Sequence, residues 1–462
     1  MQGDAPARKE ERKESISITL EPFSRFFRLE SNSGILLLAC TLIALCWANS
    51  PWAQSYFALR QTVFSLHLGD ISLAQPIILW INDGIMAIFF FVVGLEIKRE
   101  VLVGALSKPG QAILPIASAF GGMLLPAGIF WIFNAGTESV HGWGIPMATD
   151  IAFALAVLTL LGDRVPAWIK VFLTATAIAD DIGAILVIAL FYSHGFSAIW
   201  LAAGLGFWLM MWGANLLSFR HPLVYAIVGS LMWAAFLKSG IHSTFAGVLA
   251  AMAIPSRSHT RPDEFLTKGK HLLQRFGMCS VDGASNSLGN REQYAVLVGL
   301  KSACCKVETP LQYFQHTLHP WVSYIIIPLF ALTNAGVDLS GIELSSLMHP
   351  VVFGIGAGLL LGKQAGIFLT AWVMIGSGLA SKPSDVEWQH IYGAAWLGGI
   401  GFTMSIFIAT LAFSSEELLA LAKLGVLSSS LIAGLIGWLV LRFTVPQRIK
   451  EQPVQLLSDN LN

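Results

Sequence analysis

The stretch VPAWIKVFLTATAIADDIGAILVIALFY, running from Val165 to Tyr192, decides the fold. It is apolar apart from Lys170 near one end and the adjacent pair Asp180 and Asp181 at its middle. Its length allows one helical crossing of a bilayer, which takes about 20 apolar residues. A single Asp at the centre of a membrane helix costs roughly 2.5–3.5 kcal/mol on insertion scales, and here two stand in succession. Carboxylates kept at bilayer depth against that cost mark an ion path or a proton relay by default. Neighbouring residues on a helix project about 100° apart, so the two carboxylates face different partners. Ala175, Ala177, Ala179, Gly183 and Ala184 surround them and let other helices approach closely. The plain alternative is a buried polar bridge between helices.

The rest of the chain has the same character. Of its 462 residues 55% are hydrophobic, with a mean hydropathy of +0.66, and 12% are charged, against about 25% in soluble domains. This composition predicts an all-α polytopic membrane protein. The formal net charge of zero gives no reason to expect a nucleic-acid partner. The five cysteines, Cys40, Cys46, Cys279, Cys304 and Cys305, show neither zinc-type spacing nor a disulfide framework.

Apolar runs recur at roughly 34–50, 76–97, 112–134, 144–161, 167–193, 197–218, 222–237, 241–255, 320–335, 351–377, 392–412 and 417–442, which predicts about twelve transmembrane helices. Lys and Arg collect in alternate loops, as in the tail before the first run and the segment 256–318. Residues 135–143, 194–198 and 336–350 have none, and Arg60, Lys238 and Lys423 break the pattern. Such alternation places both termini in the cytoplasm. The expected organisation is a cytoplasmic N-terminal tail (1–30), transmembrane helices 1–8 (31–255), a cytoplasmic loop with an insertion (256–318), transmembrane helices 9–12 (319–445) and a cytoplasmic C-terminal tail (446–462). The insertion reads as polar and irregular, a solvated linker or small regulatory segment without a chemical motif.

Other breaks in the apolar runs carry chemistry. In the fourth, Pro146 removes a backbone donor and disfavours helix at Ile145, and Thr149 and Asp150 follow at once. Freed carbonyls beside a carboxylate and a hydroxyl offer oxygen ligands to a small hard cation; the plain reading is a proline kink patched by a hydroxyl. In the tenth, Gly354, Gly358, Gly362 and Gly366 form a small-residue stripe for close helix packing. Lys363 projects away from that stripe near mid-span, and a buried ammonium needs an anionic partner. In the eleventh, Gly398, Gly399 and Gly401 interrupt the run and mirror the break at Pro146. Two interrupted helices in separate parts of the chain point to paired repeats with a site between them. Asp83 is either structural or part of an outer ion path. His242 is a loop histidine whose intrinsic pKa near 6.5 suits a pH switch. Glu96, Arg99, Glu100 and His316 read as ordinary boundary residues or as one titratable cluster.

Taken in order, WINDGIMAIFFFVVGLEIKRE, ATDIAFALAVLTLLGDRVP, AIADDIGAI, LKSGIHSTFAGV, LLLGKQAG and GIGFTMSIFIA resemble the NhaA-type sodium/proton antiporters across residues 22–257 and 308–445. Inverted repeats with two broken helices crossing near the midplane are a known property of that family, not a result read from these residues. The resemblance implies that Asp181 is the principal cation carboxylate with Asp180 beside it. It implies that Asp150 and Thr149 support them, and that Lys363 pairs with Asp180 and exchanges protons with it. Glu96, Arg99, Glu100 and His316 resemble a cytoplasmic pH-sensing cluster, and His242 a histidine of the pH response. Gln315 stands where an acidic residue is expected, and residues 258–307 have no counterpart.

The function expected is exchange of Na⁺ or Li⁺ for H⁺, electrogenic and pH-regulated, serving sodium and pH homeostasis in a bacterial inner membrane. No enzyme activity and no cofactor are expected. The expected partners are membrane lipid, the transported ions and a second copy of the chain. The competing readings are a sodium-coupled symporter of an organic solute and an intramembrane aspartyl protease. The protease lacks its Gly-x-Gly-Asp motif here and leaves Lys363 without a role.

Overall fold

The computed structural model describes residues 33–68, 71–193, 195–258, 262–278, 291–339, 344–384 and 386–444. Both expected tails, 1–30 and 446–462, and residues 279–290 of the insertion lie outside the described residues. In chain order the first elements are α1 (Ser33–Ala48), α2 (Ala53–Gln61), the strands β1 (Val63–Leu68) and β2 (Ile71–Pro76), and α3 (Ile77–Leu102). Then come α4 (Pro109–Asn134), a 3₁₀ helix (Glu138–Met147), α5 (Ile151–Leu160), α6 (Ala167–Phe191), α7 (Ala198–Leu216), α8 (Pro222–Ser239) and α9 (Ser243–Ala253). The remainder are α10 (Pro262–Met278), α11 (Arg291–Val307), α12 (Pro310–Trp321), α13 (Ile327–Asn334), α14 (Pro350–Gly376), α15 (Trp388–Gly398), α16 (Phe402–Ala412) and α17 (Glu416–Thr444).

Among the described residues seven single helices are long and apolar enough to cross a membrane. Three bent pairs raise this to ten: α1 with α2, the 3₁₀ helix with α5, and α15 with α16. The runs expected at 241–255 and 320–335 fall on shorter helices, the 11-residue α9 and the 8-residue α13 behind a π turn. Two features depart from the sequence reading. β1 and β2 pair antiparallel, Val63 opposite Pro76, in a chain expected to be all helix. The insertion contains α10 and α11 instead of an irregular linker, because Phe265, Leu272 and Phe276 recur at helical spacing beneath the charges.

The chain divides into two compact units. The first comprises residues 1–54, 103–186 and 334–462. Its centre is the contact of α14 with α4, built on the glycine stripe. A Cβ on Gly362 would lie 2.7 Å from the backbone of Pro126, and one on Gly366 would collide with the carbonyl of Gly121. Gly354 faces Phe130 and Asn134 in the same way, and Gly358 faces Pro126 and Pro146. Within this stripe α14 takes a π turn, Gly358–Lys363, a form of local winding that recurs at functional sites.

The second unit comprises residues 55–102 and 187–333. Here α9 packs on α3 through small residues, Gly94 against Val248 and Ala251, and Gly247 against the carbonyl of Ala87. A helix this short needs donors for its terminal carbonyls. Lys98 of α3 donates to the carbonyls of Met252 at 2.6 Å and Ile254 at 2.5 Å, and Asn215 donates to that of Ala253 at 2.9 Å. At the other end Ser243 donates to the carbonyl of Asp83 at 3.1 Å, so α3 holds α9 at both ends.

Candidate functional site

Two breaks in the first unit meet. Between the 3₁₀ helix and α5 the backbone is extended at Ala148 (φ −80°, ψ 149°) and Asp150 (φ −87°, ψ 98°), with a bend of 42°. Between α15 and α16 the bend is 40°. Gly399 and Gly401 keep negative φ there, so they serve close approach and not a left-handed turn. A Cβ on Gly399 would lie 2.7 Å from the carbonyl of Leu359.

The freed backbone groups of each break are satisfied by the other. Asp150 N–H donates to the carbonyl of Ile400 at 2.7 Å. Thr149 Oγ1 donates to that of Gly398 at 2.9 Å, and Ser405 Oγ to that of Ile145 at 2.7 Å. The Asp150 carboxylate caps two helices at once. Oδ1 accepts from Phe153 N–H at 2.9 Å in α5, while Oδ2 accepts from Thr403 N–H at 3.1 Å and Thr403 Oγ1 at 2.5 Å in α16. A negative charge at two helix N-termini opposes the positive ends of both dipoles. Both oxygens of Asp150 are therefore committed to the joint.

Asp180 and Asp181 lie nearby on α6, and neither exceeds 2% exposure. Lys363, at the end of the π turn and 1% exposed, donates to Asp180 Oδ2 at 2.6 Å. Its ammonium also donates to the carbonyl of Met147, the last residue of the 3₁₀ helix, where a cation complements the negative dipole end. Thr149 Oγ1 donates to the carbonyl of Gly398, and Asp180 Oδ1 stays buried without a donor. Among the described residues no three His, Cys, Asp or Glu side chains converge tightly enough to hold a metal ion. An ion binding here would draw on one or two carboxylates, hydroxyls and backbone carbonyls. Two carboxylates against one ammonium leave one formal negative charge at the centre.

Several other expected residues lie in the second unit. On α3, Arg99 bridges Glu100 at 2.9 Å and Glu96 at 3.9 Å. His316 is exposed on α12, and Gln315 beside it is half-buried. His242 is half-buried at the start of α9, where its side chain does not cap the helix. Asp83 lines a small cleft with Gln75, Trp80 and Trp233.

Thr403, Ser405 and Ser430 were not singled out in the sequence. Thr403 and Ser405 stand in the first turns of α16 just after the glycine break, and hydroxyls beside a break in an apolar run are the signal that could have found them. Ser430 Oγ accepts from Phe402 N–H at 3.0 Å from 28 residues away, which no local pattern reveals.

The family model described as Na+/H+ antiporter 1 matches residues 24–441. The Na(+)/H(+) antiporter NhaA of Oleidesulfovibrio alaskensis is 49% identical over 95% of this chain and 97% of its own length. That of Koribacter versatilis is 47% identical over 92% of each. The solved sodium proton antiporter MjNhaP1 from Methanocaldococcus jannaschii is 12% identical with a TM-score of 0.45, covering 92% of this chain and 99% of that one. On the extent of the family match and the identity to its relatives, the chain is a multi-pass membrane protein that belongs to the Na+/H+ antiporter 1 family.

Proposed function

We propose that the protein is a secondary antiporter exchanging Na⁺ or Li⁺ for H⁺ across a bacterial inner membrane. The observation that carries this is the buried cluster of two carboxyl groups, Asp180 and Asp181, and one amine, Lys363, beside the crossed breaks. A monovalent cation neutralises such a cluster, and so does a proton, so the two compete for one place. Asp181 and Asp180 take the cation, and the freed backbone oxygens with Thr149 complete its shell. Asp150 holds the joint instead of binding the ion directly, because its oxygens already accept three hydrogen bonds. Lys363 exchanges protons as its partner Asp180 changes hands between ammonium and metal. The carboxylates and the lysine titrate as one coupled set. Any net charge moved per cycle couples to the membrane potential at about 2.3 kcal/mol per 100 mV.

Twelve crossings with both termini in the cytoplasm complete the topology, α9 and α13 serving as short spans. The chain works as a homodimer embedded in lipid, with sodium and pH homeostasis as its role. Glu96, Arg99, Glu100, His316 and His242 tune the response to pH, and the ion pairs of Arg99 support a charge-sensitive cluster.

The test is reconstitution into sealed vesicles with a pH-sensitive dye. Added Na⁺ or Li⁺ dissipates an imposed proton gradient in the native protein, and Asp181→Asn abolishes the effect. Robust exchange by that variant would sink the assignment.

A further inference from the structure

Residues 256–310 make an excursion that leaves and returns at one place. Leu311 N–H donates to the carbonyl of Pro255 at 3.2 Å, tying the two feet together, and Arg220 donates to the carbonyl of Ser258. The first foot follows the end of α9 directly, and the second lies in the opening turn of α12. From Pro255 to the start of α10 the chain reaches at most about 25 Å at full stretch, and from the end of α11 to Leu311 about 14 Å. The pair α10–α11 is thus held close to the helices that carry it.

Those two helices are more apolar outside than their partnership requires. α10 turns Phe265, Gly269, Leu272 and Phe276 inward, and α11 buries Val296 and Ala303. A Cβ on Gly299 of α11 would touch Leu272 at 3.4 Å. Beside this seam α10 leaves Leu266 and Leu273 exposed (57% and 59%), and α11 leaves Tyr294 and Leu297 exposed (66% and 42%). On a helical projection Lys270 lies about 40° from Leu266 and about 60° from Leu273, and Lys301 lies within about 40° of Tyr294 and Leu297. In an antiparallel pair the two exposed arcs fall on the same side. Residues 256–307 carry eight Lys and Arg against four Asp and Glu, so two copies of the segment repel and an anionic partner is favoured. Apolar side chains bordered by basic ones, tethered beside membrane helices, match a leaflet with anionic headgroups.

We infer that α10–α11 lies on the bilayer surface, placing Leu266, Leu273 and Leu297 at the headgroup boundary and Lys270 and Lys301 on anionic lipid phosphates. The inference takes α9 and α13 as membrane spans, as proposed above, with α12 leading into α13 through a π turn. Each basic residue near such a surface contributes about fivefold to the partition, so losing two weakens it about 25-fold. The full chain is placed in nanodiscs of phosphatidylcholine alone or with phosphatidylglycerol, and backbone hydrogen exchange is followed in α10 and α11. Slow exchange only with phosphatidylglycerol, reversed by high salt and by the double substitution Lys270→Gln with Lys301→Gln, is the expected result. Equal protection in both lipids, protection retained in detergent, or fast exchange everywhere each overturns it. Exchange in α9, read from the same samples, reports the membrane topology separately: an unprotected α9 refutes the span, while a protected α9 with unchanged α10 and α11 refutes only the surface contact.

Discussion

Replacing Lys363 by Met keeps a long apolar stem in place while removing the ammonium from Asp180 and from the carbonyl of Met147. At 2.6 Å the ion pair attracts by about 6 kcal/mol for an effective dielectric constant of about 20, and desolvation of the two charges offsets most of this. Deleting one member leaves the other charge buried, a change that costs about 3–5 kcal/mol. Lys363→Met therefore destabilises the protein by that amount, and Asp180→Asn does so too, somewhat less because the ammonium keeps Met147. The double variant strands neither member of this pair, and Asp181 is left as the one carboxylate at the centre. It retains only the loss of a donor at Met147, about 1–3 kcal/mol, and is more stable than Lys363→Met alone. Denaturant titration of the purified protein in micelles, followed by tryptophan fluorescence, measures all three. If the losses of the single variants simply add in the double variant, or if Lys363→Met costs under about 1 kcal/mol, the two side chains do not support each other and the reasoning fails.

Thr403→Val removes one hydroxyl from Asp150 while sparing the backbone donor, and should cost about 1.5–3 kcal/mol by the same titration, with Thr403→Ser restoring most of it. Gly366→Ala drives a methyl into the carbonyl of Gly121 and should cost about 1–3 kcal/mol in micellar unfolding, whereas Gly128→Ala on α4 meets nothing within 4 Å and should be neutral or slightly stabilising. Lys98→Met uncovers two carbonyls at the end of α9, so hydrogen exchange in the last turn of that helix should accelerate while α8 is unchanged.

Much of the architecture was legible because membrane helices announce themselves by apolar length, and all twelve expected runs fall on helix. The glycine stripe of α14 was legible too, since spacing by four on a helix can only form a close-packed face. β1 and β2 escaped notice because a short alternating stretch between two long apolar runs looks like a loop. The helices of the insertion were obscured by their charges. At the site, the charged residues Asp150, Asp180, Asp181 and Lys363 were each visible as anomalies inside apolar runs, but their contacts were not. Asp150 reads as an ion ligand in the sequence; that it also accepts from Thr403, 253 residues away, follows from the three-dimensional crossing alone. Likewise the carbonyl of Met147, which receives the Lys363 ammonium, has no side-chain signature.

That a single carboxylate closes the start of α5 and the start of α16 has a mechanical outcome. Tilting either helix pulls on the same oxygen atoms that anchor the other, so the two turn as a pinned swivel and not as independent levers. Whatever motion carries an ion past this place must move the swivel whole or undo its pin.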